Sequence, residues 1–402
     1  MLTEPLTLPC GAIIQNRLAK AAMTERLASA NHNPNKHHYH LYALWSESRP
    51  GLIITGNIMV DRLNLESAGN VVVEDRRAMI QLKNWSEVAK KHGSHFWGQI
   101  NCAGRQTTRF INGKPIAPSP IRLKGKLGFF AKPKAMSQND ILEYIDRYGN
   151  TAEILKEAGF TGVQIHAAHG YLISQFLSPR TNKRKDEFGG DISGRAKFLY
   201  EAYKSIRSKV GDDFPVAVKI NSSDYSKGGF SEEDCVTVIR ELSSMGVDLI
   251  EVSGGTYENM TFLEGIKSED QNSDPYFAEF AKLLEENFPT PIMLTGGVHD
   301  NTSARTLLEQ KYADMVGIAR PFLVDPGLGK KFLAEDTFSL SPPPLPTTSQ
   351  AFSWMLEGGY YSKFLINIAT RNKPPYNLSA GGAVRHILFH EFFKALAHRV
   401  LG

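Results

Sequence analysis

The chain predicts an α/β protein built as a (β/α)8 (TIM) barrel with a C-terminal helical extension. Three observations carry that prediction. Short β-rich runs alternate with longer helical patterns over most of the 402 residues, and the runs number eight. Such alternation predicts a parallel sheet, and a count of eight favours a closed barrel over an open doubly wound sheet. No Gly-x-Gly-x-x-Gly occurs, which weakens a dinucleotide-binding sheet. The polar residues best suited to chemistry stand where the runs end, the edge at which barrels collect catalytic groups.

The elements follow in order. Arg17–Met23 reads as the first strand, and the apolar, β-branched Leu52–Val60 as the second. Phe96–Asn101 follows a charged helix over Asn84–His92, and Gly162–His166 follows a helix over Asn139–Ala158. Helices over Arg195–Val210 and Glu232–Met245 precede strands at Val216–Asn221 and Leu249–Ser253. Helices over Tyr276–Asn287 and Thr302–Gln310 precede strands at Ile292–Thr295 and Met315–Ala319. The barrel is expected to occupy 1–336. Two irregular stretches interrupt it. Residues 105–137 hold Pro115, Pro118, Pro120 and Pro133, and a loop this long reads as a lid or binding loop. Residues 337–350, with Pro342, Pro343, Pro344 and Pro346, read as a stiff linker to an extension over 351–402.

In that extension, Leu388, Phe389, Phe392, Phe393, Leu396 and Val400 fall on one helical face. His390, Lys394 and His398 recur every four residues on another. The pattern suits a helix docked on the barrel or on another subunit, which allows a homo-oligomer, or one lying on a membrane surface.

Composition sets limits. Hydrophobic residues make up 42% and charged residues 22%, ordinary for a globular chain. There is no apolar run long enough to span a bilayer, and the start, Met-Leu-Thr-Glu-Pro, lacks the basic region of a secretory signal. Cys10, Cys102 and Cys235 are odd in number and scattered, which fits a reducing, cytoplasmic setting and excludes a four-cysteine iron–sulfur cluster within the chain. The net charge of +4 resides in the tail after residue 336, with six basic and two acidic residues. The preceding body is balanced. A basic tail on it suits an acidic partner or anionic surface, but these charges read more simply as the solvated face of packed helices, and no nucleic-acid partner is expected.

The run Val163–Arg180 carries His166, His169 and Tyr171 where a strand hands over to a helix. Two imidazoles can donate to one oxygen and a phenol can deliver a proton, a set suited to polarising and protonating a carbonyl compound. A metal pair and ordinary core or capping roles are the alternatives. Leu294-Thr-Gly-Gly-Val and Val316-Gly-Ile-Ala-Arg end strands seven and eight with Gly296, Gly297, Gly317 and Arg320, the place where barrels often hold a phosphate. Lys219 sits inside strand five and needs an anionic or acceptor partner. The edge of a flavin ring would serve. Gln99 offers an amide for the uracil-like side of such a ring, and Thr24 a hydroxyl. A core amide, a helix cap and a snorkelling lysine are the plainer roles for these three.

Together these motifs resemble the Old Yellow Enzyme family of FMN-dependent NAD(P)H:flavin oxidoreductases. Asn16 to Thr24 resembles the family's first-strand motif, with Ala22 where proline is common, and Gly98 to Arg105 resembles its third-strand motif. Ala117-Pro118-Ser119 and Lys134 to Ser137 resemble its lid landmarks. His166 to Pro179, Asp186 to Gly190 and Arg195 resemble its longest signature, and Thr295-Gly296-Gly297 and Gly317 to Pro321 its phosphate loops. The resemblance runs from about residue 5 to 330 in order.

It implies FMN over the barrel mouth, with NADH or NADPH as reductant and a small electrophilic alkene, such as an enone, as oxidant. Ala22, Met23, Thr24, Gly56, Gln99 and Lys219 would meet the ring. Gly296, Gly297, Gly317, Ala319 and Arg320 would hold the phosphate. His166 and His169 would bind the substrate oxygen, and Tyr171 would donate the proton after hydride passes from flavin N5 in a ping-pong cycle. Lys219 stands where arginine is frequent, and the tail beyond 337 has no counterpart in the family pattern. The competing expectations are an FMN-binding redox or interaction protein with little turnover, and a flavin-free barrel acting on a phosphorylated metabolite.

Overall fold

A computed structural model describes residues 1–123, 128–253, 288–334, 337–341, 345, 353–371 and 378–401. In chain order the elements are β1 (Leu6–Thr7), β2 (Ile13–Ile14), β3 (Leu18–Lys20), α1 (Lys36–Glu47), β4 (Leu52–Met59), β5 (Val71–Val72), α2 (Met79–Lys90), β6 (His95–Asn101), β7 (Ile116–Ala117) and β8 (Lys134–Ala135). Then come α3 (Gln138–Glu157), β9 (Gly162–Ala167), α4 (Leu172–Leu177), α5 (Ile192–Val210), β10 (Val216–Asn221), α6 (Glu232–Ser244), β11 (Leu249–Ser253) and β12 (Ile292–Thr295). The last are α7 (Asn301–Glu309), β13 (Met315–Ile318), α8 (Pro321–Val324), α9 (Leu328–Ala334), α10 (Ser353–Arg371) and α11 (Ala380–Leu401).

Eight strands close on themselves in the order β3, β4, β6, β9, β10, β11, β12, β13 and back to β3, every pairing parallel. Both faces of such strands are covered, so they read as nearly continuous apolar runs. All eight residues of β4 are buried. The barrel interior is divided. At the N-terminal end Ala19, Leu52, Ile54, Trp97, Ala217, Leu249, Met293 and Met315 form one apolar cluster. The β1–β2 hairpin seals that end with Leu6, Leu8 and Ile14. The C-terminal end holds a cavity lined by both polar and apolar side chains.

Helices clothe the outside, and their starts are written in the sequence. Ser137 caps α3 by accepting from the Asp140 N–H while Asp140 reaches back to the Ser137 N–H. Ser231 caps α6 ahead of Glu232, Glu233 and Asp234, which favour the positive end of the helix dipole. Behind β3, β4 and β6, edge-on rings of Tyr42, Trp45, Trp85 and Phe96 fill the strand–helix layer. Lys20 is fully buried in that layer, where its ammonium donates to the Ile54 carbonyl at 2.9 Å and lies 4.1 Å from the Trp45 ring centre.

Strands five, six and seven have the expected bounds. Strand one is shorter than expected, because after Lys20 the backbone leaves the ladder to line the mouth. The helix expected over Asn84–His92 begins at Met79, behind a short turn capped by Asp75. Helix α1 was not anticipated: its buried positions His38, Leu41, Tyr42 and Trp45 are helically spaced, but its histidines blur the apolar stripe. The helix expected over Tyr276–Asn287 lies outside the described residues, as does most of the proline-rich 337–350 stretch. The extension holds two helices. Leu356, Tyr360, Phe364, Leu365, Ile368 and Ala383 belong to the same apolar core as the barrel's helices.

The two faces of α11 are reversed from the ordinary arrangement. His390 meets the Arg26 carbonyl at 3.0 Å, and Lys394 donates to the Ala28 carbonyl. Glu391 accepts from the Ser67 hydroxyl at 2.5 Å and the Ala68 N–H at 3.1 Å. The polar face is turned inward, and Leu388, Phe389, Phe392, Phe393 and Leu396 face out.

Burial holds His38 and His390 down to about 3, with the Lys394 charge adding to the effect. An unfolded histidine takes up a proton near pH 6.5, so this stability is complete above that pH and is lost as pH falls towards the folded value. Buried His38 alone contributes a loss of about 1.4 kcal/mol per pH unit below 6.5. Calorimetry should therefore show Tm falling steadily between pH 6.5 and pH 4. An unchanged Tm over that window would show that these rings can be protonated in place.

Candidate active site

A cavity of about 290 Å3 opens at the C-terminal ends of the strands. It is built from residues on every side of the mouth, which is why its parts are so far apart in sequence.

The His166–Tyr171 segment forms one wall. Strand β9 ends at Ala167. His169 and Gly170 then both take left-handed conformations, at φ of 60° and 74°, and this sharp turn starts α4 at Leu172. The turn brings three rings together. His166 lies 5.1 Å from His169 and 4.8 Å from Tyr171 between ring centres, each pair nearly perpendicular. His166 Nδ1 accepts from the Ala168 N–H at 3.2 Å, which assigns its proton to Nε2. His169 is fixed through its backbone, its N–H donating to Asn221 Oδ1 at 3.1 Å. Its Nε2 lies 3.0 Å from the Ser253 hydroxyl. Burial first, and the Lys219 charge second, push both imidazoles well below their ordinary pKa. They are neutral hydrogen-bonding groups, not cations.

The floor is a chain of buried polar groups across four adjacent strands. Gln99 donates to Gln164 at 2.8 Å, and Gln164 donates to Glu251 at 2.7 Å. Glu251 forms an ion pair with Lys219 at 2.8 Å. Register explains the order: Gln99 stands opposite Gln164, and Lys219 opposite both His166 and Glu251. The anionic partner that an interior lysine needs is therefore Glu251, on the next strand. No ligand is required to account for Lys219.

The far end of the cavity is lined by glycines. Gly296 and Gly297 have φ of 128° and 75°, and a Cβ at Gly297 would meet open space. A Cβ at Gly317 would collide with the Thr295 hydroxyl. Thr295 Oγ1 and His299 Nδ1 are buried with no hydrogen-bond partner among the described residues. Arg320 begins α8 and lies 5.8 Å from the Tyr361 ring centre.

The extension forms the roof. Glu357, Gly358, Tyr361, Ser362 and Leu365 of α10, with Ile387 and Glu391 of α11, line the cavity. Arg26 ties roof to barrel, donating to the Gly358 carbonyl at 3.1 Å and pairing with Glu66 at 2.5 Å. From 105–137, Gln106, Thr108 and Phe130 reach the cavity. Arg184 holds that stretch by donating to the Pro118 and Met136 carbonyls.

Of the residues singled out from sequence, Ala22, Met23, Thr24, Gln99, His166, His169, Tyr171, Lys219, Gly296, Gly297, Gly317, Ala319 and Arg320 all line this one cavity. Gly56 does not. Strand β4 bulges between Ile54 and Asn57, and the Gly56 N–H is turned away to donate to Glu25 at 2.8 Å. No side chain fits at Gly56 against Glu25 and the Met23 carbonyl. Asn57 lines the cavity in its place, oriented by Asn101 at 2.9 Å. The Thr24 hydroxyl donates to Glu66 at 3.2 Å and accepts from Asn70 at 3.1 Å. Asn57 could have been noticed as a lone amide in an apolar strand. Ser253 and the roof residues carry no local signal.

The closed parallel barrel thus carries imidazoles, a phenol and a glycine–arginine end around one cavity at its mouth. Residues 1–335 match the model of the NADH:flavin oxidoreductase / NADH oxidase family, and the chain belongs to it. An NADH-dependent flavin oxidoreductase, iliE, of Hypocrea jecorina (strain QM6a) is 36% identical over 353 residues, covering 81% of this chain and 87% of that one. An NADPH dehydrogenase of Geobacillus sp. (strain WCH70) is 31% identical over 330 residues, covering 81% and 92%. Morphinone reductase shares the fold at a TM-score of 0.71 with 21% identity, over 85% of this chain and 91% of that structure. The chain is thus an Old Yellow Enzyme-type oxidoreductase with FMN as cofactor and NADH or NADPH as reductant.

Removing one member of a buried ion pair leaves the other charge stranded. Glu251→Ala should cost about 3–5 kcal/mol, while Lys219→Met combined with Glu251→Met should recover most of the loss. Urea unfolding checks both. Equal losses in the single and double variants would mean that the pair does not set the floor's stability.

Proposed function

We propose that the enzyme reduces electron-poor alkenes conjugated to a carbonyl, with Tyr171 as proton donor. The observation that carries this reading is the convergence of His166, His169 and Tyr171 on one wall, beside the Lys219 floor. FMN, when bound, would supply the hydride-transfer chemistry between nicotinamide and alkene.

The residues present fit that cofactor. Gly297 leaves room for a phosphate beside backbone N–H groups, and Gly296 and Gly317 line the same end of the cavity. Arg320 would supply a forked cation, and the Thr295 hydroxyl, which has no partner among the described residues, a further donor. The Gln99–Gln164–Glu251–Lys219 chain, which lines the floor, would offer amide and ammonium groups to the polar part of a flavin ring. Ala22, Met23 and Thr24, on the segment that follows strand one, line the same cavity and would border the ring.

The wall then does the protein's part. Neutral His166 offers its Nε2–H to the substrate carbonyl oxygen, and His169 stands beside it. Their donation draws electron density from the alkene and makes the β-carbon accept hydride. Neutral donors suit this task, because an imidazolium would cost a buried charge whenever the site is empty. Tyr171, whose ring lies 4.8 Å from that of His166, gives its proton to the α-carbon and recovers it from water. The roof helices exclude solvent from the reacting groups.

Tyr171→Phe keeps the ring and removes only the proton. Reduction by NAD(P)H should be nearly unaffected, while reoxidation by cyclohexenone should slow by roughly 10²–10⁴-fold. Parental reoxidation in stopped flow would remove Tyr171 from the reaction. Arg320→Ala should weaken FMN retention by roughly 10–100-fold through loss of a charge-assisted hydrogen bond. Flavin held as tightly as in the parent through dialysis would place the phosphate elsewhere.

A further inference from the structure

We propose that the outward face of α11 is a self-association surface, on which a second copy of this chain docks its own α11. Ten large hydrophobic side chains are exposed among the described residues, and five of them stand on this one helix. Met1, Ile13, Leu63, Ile80 and Leu142 are scattered singly, as on any protein. Leu388, Phe389, Phe392, Phe393 and Leu396 are 38%, 58%, 52%, 58% and 47% exposed and form one patch. Phe389 and Phe393 lie nearly parallel, 6.1 Å between ring centres, with Phe392 edge-on to Phe393 at 5.6 Å.

The helix is not free to roll this face inward. Its opposite side is held to the barrel by the contacts of His390, Glu391 and Lys394 with the chain at 26–28 and 67–68. That side also lines the cavity through Ile387 and Glu391. The apolar face therefore points outward because the polar face is already committed.

Shape and area select a second copy as the occupant. The patch consists of two rows of residues four apart, Leu388–Phe392–Leu396 and Phe389–Phe393, with a groove between them. A row of one helix fits the groove of an identical helix, the packing that crosses at about −50°, and a two-fold axis makes the contact self-complementary. At about 200 Å2 for a large side chain, the stated fractions leave about 500 Å2 open on each copy. Pairing would bury about 1,000 Å2, the size that a specific interface must reach. Three phenylalanines at the centre are the residue type that anchors such contacts.

A lipid surface fits less well. Interfacial helices present a basic polar face to headgroups, whereas here the polar face is docked on the barrel. Arg385 is the only exposed charged side chain among the residues of α11 whose burial is described, and the Lys394 ammonium is taken by the Ala28 carbonyl.

The test is light-scattering mass on the full-length, flavin-loaded enzyme. The parent should run at twice the single-chain mass of 44.7 kDa. Phe389→Glu combined with Phe393→Glu should run at the single-chain mass with flavin absorbance per chain unchanged, which certifies the fold. If that variant loses flavin, Phe392→Ser and Leu396→Ser replace it, each expected to raise the dissociation constant by at least about tenfold. A parent that runs as a single chain, or variants that keep the double mass, would overturn the proposal. So would a single-chain parent that floats with phosphatidylcholine–phosphatidylserine vesicles while the charged variant does not.

Discussion

An ammonium group sits inside the barrel on strand five, and the site is arranged around it. Lys219 can occupy that position because Glu251 stands opposite it on strand six. A buried charge without such a partner would lose its proton or unfold the strand around it. The pair in turn orders what surrounds it. Glu251 takes the amide of Gln164, and Gln164 takes that of Gln99, so four strands share one connected polar layer. The Lys219 charge also helps keep His166 and His169 neutral. The charge at the floor thus adds to what burial already does to the wall.

This layer divides the barrel by function. Below it the interior is apolar and closed by the N-terminal hairpin, which supplies rigidity. Above it every strand ends in a residue that can meet a ligand. The left-handed pair His169–Gly170 turns a strand end into a helix start and thereby aims three rings at one place. The extension completes the enclosure. Arg26, on the segment after strand one, links Glu66 and the Gly358 carbonyl, so the roof is keyed to the same mouth that it covers. The same helix that walls the cavity inwardly presents phenylalanines outwardly.

Much of this was legible in the sequence. Strands at 216–221, 249–253 and 292–295 were readable because parallel strands buried on both faces are short apolar runs bounded by breaks. The glycine and arginine positions were readable because backbone approach to a phosphate needs residues of those types. Three things were not. The partner of Lys219 lies 32 positions away and is named only by strand register. Gly56 and Asn57 exchange roles through a one-residue bulge, which no periodicity reveals, and the cause is the acceptance of the Gly56 N–H by Glu25. The orientation of α11 depends on backbone carbonyls and N–H groups near 26–28 and 67–68, so its helical wheel displayed two faces without saying which one is buried. Roof residues such as Glu357 and Tyr361 acquire their place only through that docking.

Alkene reduction at the His166–His169–Tyr171 wall is tested most directly by what happens when the reduced enzyme meets an alkene without oxygen. Anaerobic stopped flow with one equivalent of NADH should bleach the oxidised flavin band. Mixing with cyclohexenone should then restore it fully, with saturated ketone formed in equal amount. A band that stays bleached in the presence of the enone and returns only on admitting oxygen would contradict the assignment of the His166–His169–Tyr171 wall to alkene reduction.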